Sequence, residues 1–329
     1  MISEPMAATV GASILSGNRY GDLQQDSVMI AREAWGIAAV VLDGHGMLGE
    51  CAAAEAGEAL LHHAKQIGGT PLDDHKSRQV LAREAFALGH EAALRLYSEP
   101  PEQYLYPKGS RTEAKYRLTY INGLPMYKSL SSGTDRLLEL GTTATLAVLQ
   151  GRHLLVANVG DSAAVLGSRT AAGGYEGLEV SERHWGLNPD EARRVTASVG
   201  RRVELLRSDG YLAVAAGRFQ GYQLSMTRAL GHSMLSDFGV IAKPSIAQRT
   251  LDDNDTCLIV ASDGVWDCFS PTEAIELCMD VIENGGTAED AAAALCEESV
   301  DRAVSGPDHE ADNTSAVVFI FSHVGTDLT

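Results

Sequence analysis

Thr143-Ala144-Thr145-Leu146-Ala147-Val148-Leu149-Gln150-Gly151-Arg152-His153-Leu154-Leu155-Val156-Ala157-Asn158-Val159-Gly160-Asp161-Ser162 reads as two apolar runs joined at Gln150-Gly151-Arg152. Apolar and β-branched residues punctuated by Gly and Asp mark strands, and so short a connection makes them a hairpin. Similar runs lie near 26–30, 36–42, 163–167, 211–215, 257–261 and 316–321. Residues 48–67 and 77–98 read as helices, with Pro71 and Asp73-Asp74 in the break between them. In the second, Val80, Leu81, Ala85, Leu88 and Ala92 fall at helical spacing. A third helix starts at Ser270-Pro271, Ser270 capping and Pro271 in the first turn, and a fourth runs from about Thr287 to Val304. Strands that cluster and helices that come in adjacent pairs do not suit strict βαβ alternation. The pattern predicts an α+β sandwich: antiparallel sheets covered by helical hairpins.

Aspartates mark the ends of these strands. Leu42-Asp43-Gly44-His45-Gly46, Gly160-Asp161-Ser162 and Ser262-Asp263-Gly264 each follow an apolar run, and Asp312-Asn313-Thr314-Ser315 leads into one. Carboxylates at core-strand ends are costly unless something replaces their hydration. Several that converge hold hard divalent cations, which favour oxygen ligands. The pattern therefore predicts a two-metal hydrolytic site, with Asp26 completing the set. A simple Asp-Gly turn is the competing reading of each motif alone. The glycine after Asp43 lets a backbone carbonyl approach a ligand. His45, whose unperturbed pKa lies near neutrality, is the candidate general acid, against the alternative of a structural imidazole tied to a carboxylate. Arg19 is the candidate phosphate anchor, because guanidinium matches phosphoryl oxygens as a fork.

The bulk properties narrow the partners. The chain of 329 residues has a net charge of −18, which argues against a nucleic-acid surface and against docking on anionic membranes. Apolar residues make up 45% and charged residues 21%, as in a folded soluble protein. Five scattered cysteines with no C-x-x-C pair suit a reducing compartment. No secretory signal and no membrane-length apolar run is evident, so the cytoplasm is expected, with the nucleus equally open. A monomer is expected. Residues 98–136 stand apart as a basic, aromatic island with Tyr104, Tyr106, Tyr116, Tyr120, Tyr127, Lys108, Arg111, Lys115, Arg117, Lys128 and Arg136, lacking clear periodicity. A structureless stretch this long is functional or mobile. The alternatives are a surface insertion whose tyrosines pack locally and a docking site for a partner.

The ordered motifs resemble the metal-dependent serine/threonine protein phosphatases of type 2C. Leu42–Gly46, Gly141-Thr142-Thr143-Ala144, Asn158–Ser162, Ser262–Asp267 and Asp312–Ser315 occur in that family's order. Glu182–Val195 resembles its D-H-x-x-x-N-P-x-E-x-x-R-I stretch, and Leu224–His232 its L-A-V-S-R-A-L-G-D stretch. The resemblance covers about residues 10–322. It implies a single domain over 1–329 with an insertion at about 98–136. The implied fold is a four-layer α-β-β-α sandwich, two antiparallel sheets flanked by helical pairs. It implies two Mg²⁺ or Mn²⁺ ions. Asp43, Asp263 and Asp312 would hold one. Asp43 and the Gly44 carbonyl, aided by Asp26, would hold the other, and Asp161 with Asp263 would hold a third, weaker ion. The implied reaction is hydrolysis of phosphoserine and phosphothreonine in proteins by direct attack of water.

Three positions depart from the family pattern. Gln25 precedes Asp26 where many members carry Glu. The arginine expected five residues before Asp26 is Gly21, with Arg19 nearest. The Asp usual after Ala-Leu-Gly is His232. The shifted arginine and the Tyr-rich insertion motivate one alternative, a phosphatase for a small phosphate ester such as a nucleotide. The other is a non-catalytic binding module that kept the fold, against which the full set of aspartates argues, since unmetallated buried carboxylates would repel one another.

Overall fold

The computed structural model describes residues 6–108, 112–121, 123–130, 135–216 and 219–323. The predicted hairpin forms as Ala144–Gln150 and His153–Val159, with Gln150 opposite His153. It lies in a sheet ordered Leu230–Gly231, Leu140–Thr142, Gly36–Gly46, Ala144–Gln150, His153–Val159, Ser245–Thr250, with Asp26–Glu33 also paired to Gly36–Gly46. A second sheet is ordered Met6–Leu15, Thr314–His323, Asp255–Ala261, Ala163–Arg169, Tyr175–Glu179. All pairings within both sheets are antiparallel.

Strand pleating explains why the central runs are apolar without alternation. Ala38, Val40 and Leu42 pack with Ala53, Ala56, Leu60 and Phe86 of the helices Gly49–Gly69 and His75–Arg95. Ala39 and Val41 point the other way, into an apolar cluster with Leu258, Val260, Val317 and Phe319 of the second sheet. That sheet's far face, through Val165, Ile259 and Val318, packs against the helices Pro271–Glu283 and Ala288–Ser305. Both of these helices begin in capping boxes, at Ser270 with Glu273 and at Thr287 with Asp290.

Several sequence expectations are corrected. The helix His75–Arg95 forms, yet Val80 and Leu88 of its expected apolar stripe are 45% and 37% exposed. Its packed face is Ala82, Ala85, Phe86, Gly89 and Ala93, since small residues let it lie close to Gly49–Gly69. The strands Met6–Leu15, Tyr175–Glu179 and Ser245–Thr250 were not expected; each is a sheet edge with mixed burial, so the apolar signal is diluted. The segment within 98–136 is an antiparallel sheet of Gln103–Lys108, Thr112–Ile121, Leu124–Ser129 and Asp135–Leu137. Tyr116 and Tyr127 are buried against Met47, Leu48 and Ala93, so these tyrosines pack locally. Arg111 and the side chains of Tyr106 and Lys108 lie outside the described residues.

Glu191 anchors the region after the hairpin. Its carboxylate is 1% exposed and accepts hydrogen bonds from Arg194, Arg228 and Thr227. These donors hold it below the usual carboxylate range despite burial. Removing one partner of such a set strands buried charge. Glu191→Ala is expected to lower unfolding stability by about 3 kcal/mol, read by denaturant titration. A loss within the small range of ordinary surface substitutions would show that the network contributes little.

Candidate functional site

The register of Asp26–Glu33 against Gly36–Gly46 places the first two acids. Asp26 and Asp43 are cross-strand partners at the end of their ladder. Asp161 lies in the turn between His153–Val159 and Ala163–Arg169. Asp263 opens the short helix Asp263–Trp266 directly beyond the strand Asp255–Ala261. Asp312 precedes the strand Thr314–His323.

Carboxylate oxygens of Asp43, Asp161 and Asp263 all lie within 4.8 Å of one another. Asp312 Oδ2 meets Arg19 Nη1 at 2.7 Å, and its charge still helps raise the Asp26, Asp43 and Asp263 carboxyls. Thus the structure groups Asp161 with Asp43 and Asp263, where the resemblance grouped Asp312 with them. Asp26 Oδ2 accepts from Ser315 at 2.7 Å.

The scaffold around these carboxylates is polar and tight. Thr143 Oγ1 accepts from the Asp43 backbone N–H at 3.0 Å and is itself 2.7 Å from Ser162 Oγ. Asn313 accepts from the Gln25 N–H and donates to the Leu23 carbonyl, locking the Asp26 segment to the Asp312 segment. A side chain at Gly44 would lie 2.2 Å from the Gly49 carbonyl oxygen, and one at Gly264 would lie 2.3 Å from that of Asn313. The glycine after each aspartate is therefore required by close backbone approach.

Burial, together with the mutual repulsion of like charges, raises the carboxyl pKa values. Asp26 is pushed up to about 7, chiefly by burial. Asp43 is driven well above the carboxylate range by burial and by Asp263, and Asp263 likewise by burial and by Asp161. Asp161 is also raised by burial. Asp26 Oδ1 and Asp161 Oδ1 are buried with no hydrogen-bond partner. An all-oxygen, anionic donor set with orphaned lone pairs fits hard divalent cations such as Mg²⁺ or Mn²⁺.

His45 ends its strand beside this group. Its Nδ1 lies 3.2 Å from the Asp43 carbonyl and its Nε2 lies 2.6 Å from His232 Nε2. His232 Nδ1 lies 3.1 Å from Glu139 Oε1. Burial and then His232 hold the His45 imidazole well below its ordinary pKa. Sequence reasoning singled out His232 only as a departure and missed Glu139. The available signal was a carboxylate inside the apolar run Leu137-Leu138-Glu139-Leu140, which needs a partner if buried.

Comparisons with known proteins bear on this arrangement. The sequence profile of the family described as "Protein phosphatase 2C" matches residues 49–306. Asp161 and Asp263 fall inside the match, while Asp26, Asp43 and Asp312 lie outside it. Among curated relatives, "Probable protein phosphatase 2C 41" of Arabidopsis thaliana is 37% identical over 150 residues, covering 45% of this chain and 43% of the relative. "Probable protein phosphatase 2C 12" of Oryza sativa subsp. japonica is 33% identical over 185 residues, covering 56% of this chain and 46% of the relative. The chain thus spans less than half the length of these relatives. A crystal structure of serine-threonine phosphatase 2C from Toxoplasma gondii superposes with a TM-score of 0.71 over 97% of this chain and 100% of that one, at 17% identity. A C. elegans sex determining protein superposes with a TM-score of 0.68 over 95% of this chain and 65% of that one, at 20% identity. At these identities the likeness is one of fold.

Proposed function

Because the chain belongs to the protein phosphatase 2C family, matched over residues 49–306, we propose that it hydrolyses phosphoserine and phosphothreonine in proteins. The observation that carries this reading is the convergence of Asp43, Asp161 and Asp263 within 4.8 Å. The family is metal-dependent, and we propose two Mg²⁺ or Mn²⁺ ions, with a weaker third. Asp43, Asp263, Asp161, Asp26, Asp312 and the Gly44 carbonyl would hold them. When bound, such ions supply Lewis acidity to a water and to the phosphoryl oxygens.

The chain's own residues do the remaining work. The carboxylates fix the site's geometry on strand ends, which are rigid, so little reorganisation is needed at the moment of reaction. His45 is the proton donor to the leaving serine or threonine oxygen; because burial keeps its imidazole neutral, the proton given from Nδ1 is replaced at Nε2, the nitrogen that faces His232. Arg19 anchors the phosphate once it exchanges the Asp312 carboxylate for phosphoryl oxygens; its side chain is 47% exposed and so accessible to substrate. No phosphoenzyme forms, since water is the attacking group.

Activity on a phosphothreonine peptide and on several nucleoside monophosphates, with Mn²⁺ and then chelator, tests the reading. Peptide turnover lost on chelation is expected. Turnover confined to nucleotides would select the small-ester alternative, and turnover of nothing at saturating metal would leave a binding module. Arg19→Ala is expected to raise KM roughly tenfold, the worth of one charge-assisted hydrogen bond, with kcat little changed. An unaltered KM would assign the phosphate to another group.

The proposed partners are phosphoproteins, and the domain acts as a single unit and as a monomer. The inserted sheet is the proposed docking element: Lys115, Arg117 and Lys128 are exposed on it, Arg117 directly opposite Lys128. No helix among the described residues is long and apolar enough to cross a membrane. All five cysteines are free, which supports a reducing compartment such as the cytoplasm.

A further inference from the structure

We propose that His232, held by Glu139, is the positioning residue for His45, fixing its Nε2 so that Nδ1 is the atom that serves the leaving group. This rests on the phosphatase reading above and concerns a position where the chain departs from the family pattern.

The backbone builds the contact. His45 ends the strand Gly36–Gly46, and His232 directly follows Leu230–Gly231. The short strand Leu140–Thr142 lies between these two, and its Gly141 is the register partner of both His45 and Gly231. A side chain at Gly141 would sit 2.3 Å from His232 Nε2, so the glycine opens the space in which the two imidazoles meet. Their ring centroids lie 4.7 Å apart with 23° between planes, so the rings meet edge to edge through Nε2. His232 has φ 59, a left-handed conformation that is strained for a residue with a β-carbon. Such a conformation persists where surrounding contacts over-determine it; here the His232 N–H donates to the Leu140 carbonyl at 2.7 Å.

Donor and acceptor chemistry then assigns roles. Glu139 is 1% exposed, and its Oε1 faces both His232 Nδ1 and the Leu235 N–H at 3.2 Å. A carboxylate only accepts, so His232 Nδ1 carries the hydrogen in that contact. The Asp43 carbonyl likewise only accepts, so His45 Nδ1 carries a hydrogen towards it. Two bare ring nitrogens repel, so at 2.6 Å a hydrogen lies between the two Nε2 atoms. It is the third hydrogen of the pair, balanced by the Glu139 carboxylate, and it passes to His45 Nε2 as His45 Nδ1 gives its own to the leaving oxygen, which leaves both imidazoles neutral. The contact that can be exchanged for a substrate oxygen is the longest of the three, at 3.2 Å. This is the logic by which a third group orients the imidazole of a catalytic triad, with an imidazole–carboxylate pair in place of a lone carboxylate.

The test uses Glu139→Gln and His232→Gln in the full chain, assayed with Mn²⁺ on a phosphothreonine peptide and on p-nitrophenyl phosphate. An alkoxide must be protonated as it leaves, whereas nitrophenolate leaves without a proton. The ratio of kcat on the peptide to kcat on the aryl ester is expected to fall roughly 10–100-fold in both variants, within the range of general acid catalysis. An unchanged ratio, including an equal fall on both substrates, overturns the proposal. Imidazole nitrogen NMR of the metal-free protein gives a readout independent of turnover. His45 is expected to hold its hydrogen on Nδ1 in the native chain and to lose that single form in His232→Gln; an unaltered His45 signal overturns the assignment. Circular dichroism confirms that each variant is folded. A native chain that turned over neither substrate would sink the phosphatase reading, while the NMR result would still decide the His232–His45 contact.

Discussion

Asp263→Asn is expected to lower kcat on a phosphothreonine peptide by at least roughly 10²–10³-fold at saturating Mn²⁺, the cost of removing one preorganised stabilising contact. Asp263 sits where the strand Asp255–Ala261 gives way to a helical turn, with a carboxylate oxygen within 4.8 Å of those of Asp43 and Asp161. Asparagine keeps the size and one acceptor oxygen but removes the charge that binds a hard cation. The fold should survive. Burial and the neighbouring Asp161 already drive the Asp263 carboxyl well above its ordinary range, so a neutral side chain relieves repulsion. The metal-free variant should therefore melt no lower than the native chain. Kinetics with Mn²⁺ and a thermal melt in chelator check both halves. A near-native rate would remove Asp263 from the metal ligands.

Mn²⁺ should raise the melting temperature strongly, and more at pH 8 than at pH 6. In the metal-free protein Asp26 is pushed up to about 7, with Asp43 and Asp263 well above the carboxylate range. Unfolded carboxyls titrate near pH 3.9, on the order of three units lower than Asp26 in the fold. The folded chain thus holds protons that the unfolded chain has released. Stability from these groups is complete below the unfolded value and is lost as pH rises through the folded values. Chelated protein should accordingly melt lower at pH 8 than at pH 6. A bound cation favours the charged carboxylates, so it reverses the trend and releases protons on binding. At a thousandfold excess over Kd, the ion adds about 4 kcal/mol. Melts at both pH values, and calorimetry in buffers of different ionisation heat, measure the two effects. A melting temperature indifferent to Mn²⁺ at pH 8 would contradict the proposed metal site.

Particular elements show what was legible. The runs at 36–42, 143–149, 153–159, 257–261 and 316–321 all became strands, because pleated, doubly covered strands need apolar residues on both faces. The helix starts at Ser270 and Thr287 were readable because caps are local chemistry. The edge strand Ser245–Thr250, half open to solvent, carried no such mark. The inserted sheet escaped because three of its four strands are six residues or fewer and its buried tyrosines do not keep one period.

The central strand runs, the helix pairs and the placing of aspartates at strand ends were written into the chain, since each follows from the burial and backbone needs of neighbouring residues. Which acids meet followed from the folded arrangement. Asp26 and Asp43 are joined by cross-strand register, Asp161 reaches Asp43 and Asp263, and Asp312 turns to Arg19. It alone also placed Glu139 behind His232 and His232 against His45. The reason is physical. Periodicity records whether a side chain faces core or solvent, whereas an approach of a few ångströms between distant residues depends on sheet order and register, which local periodicity does not encode.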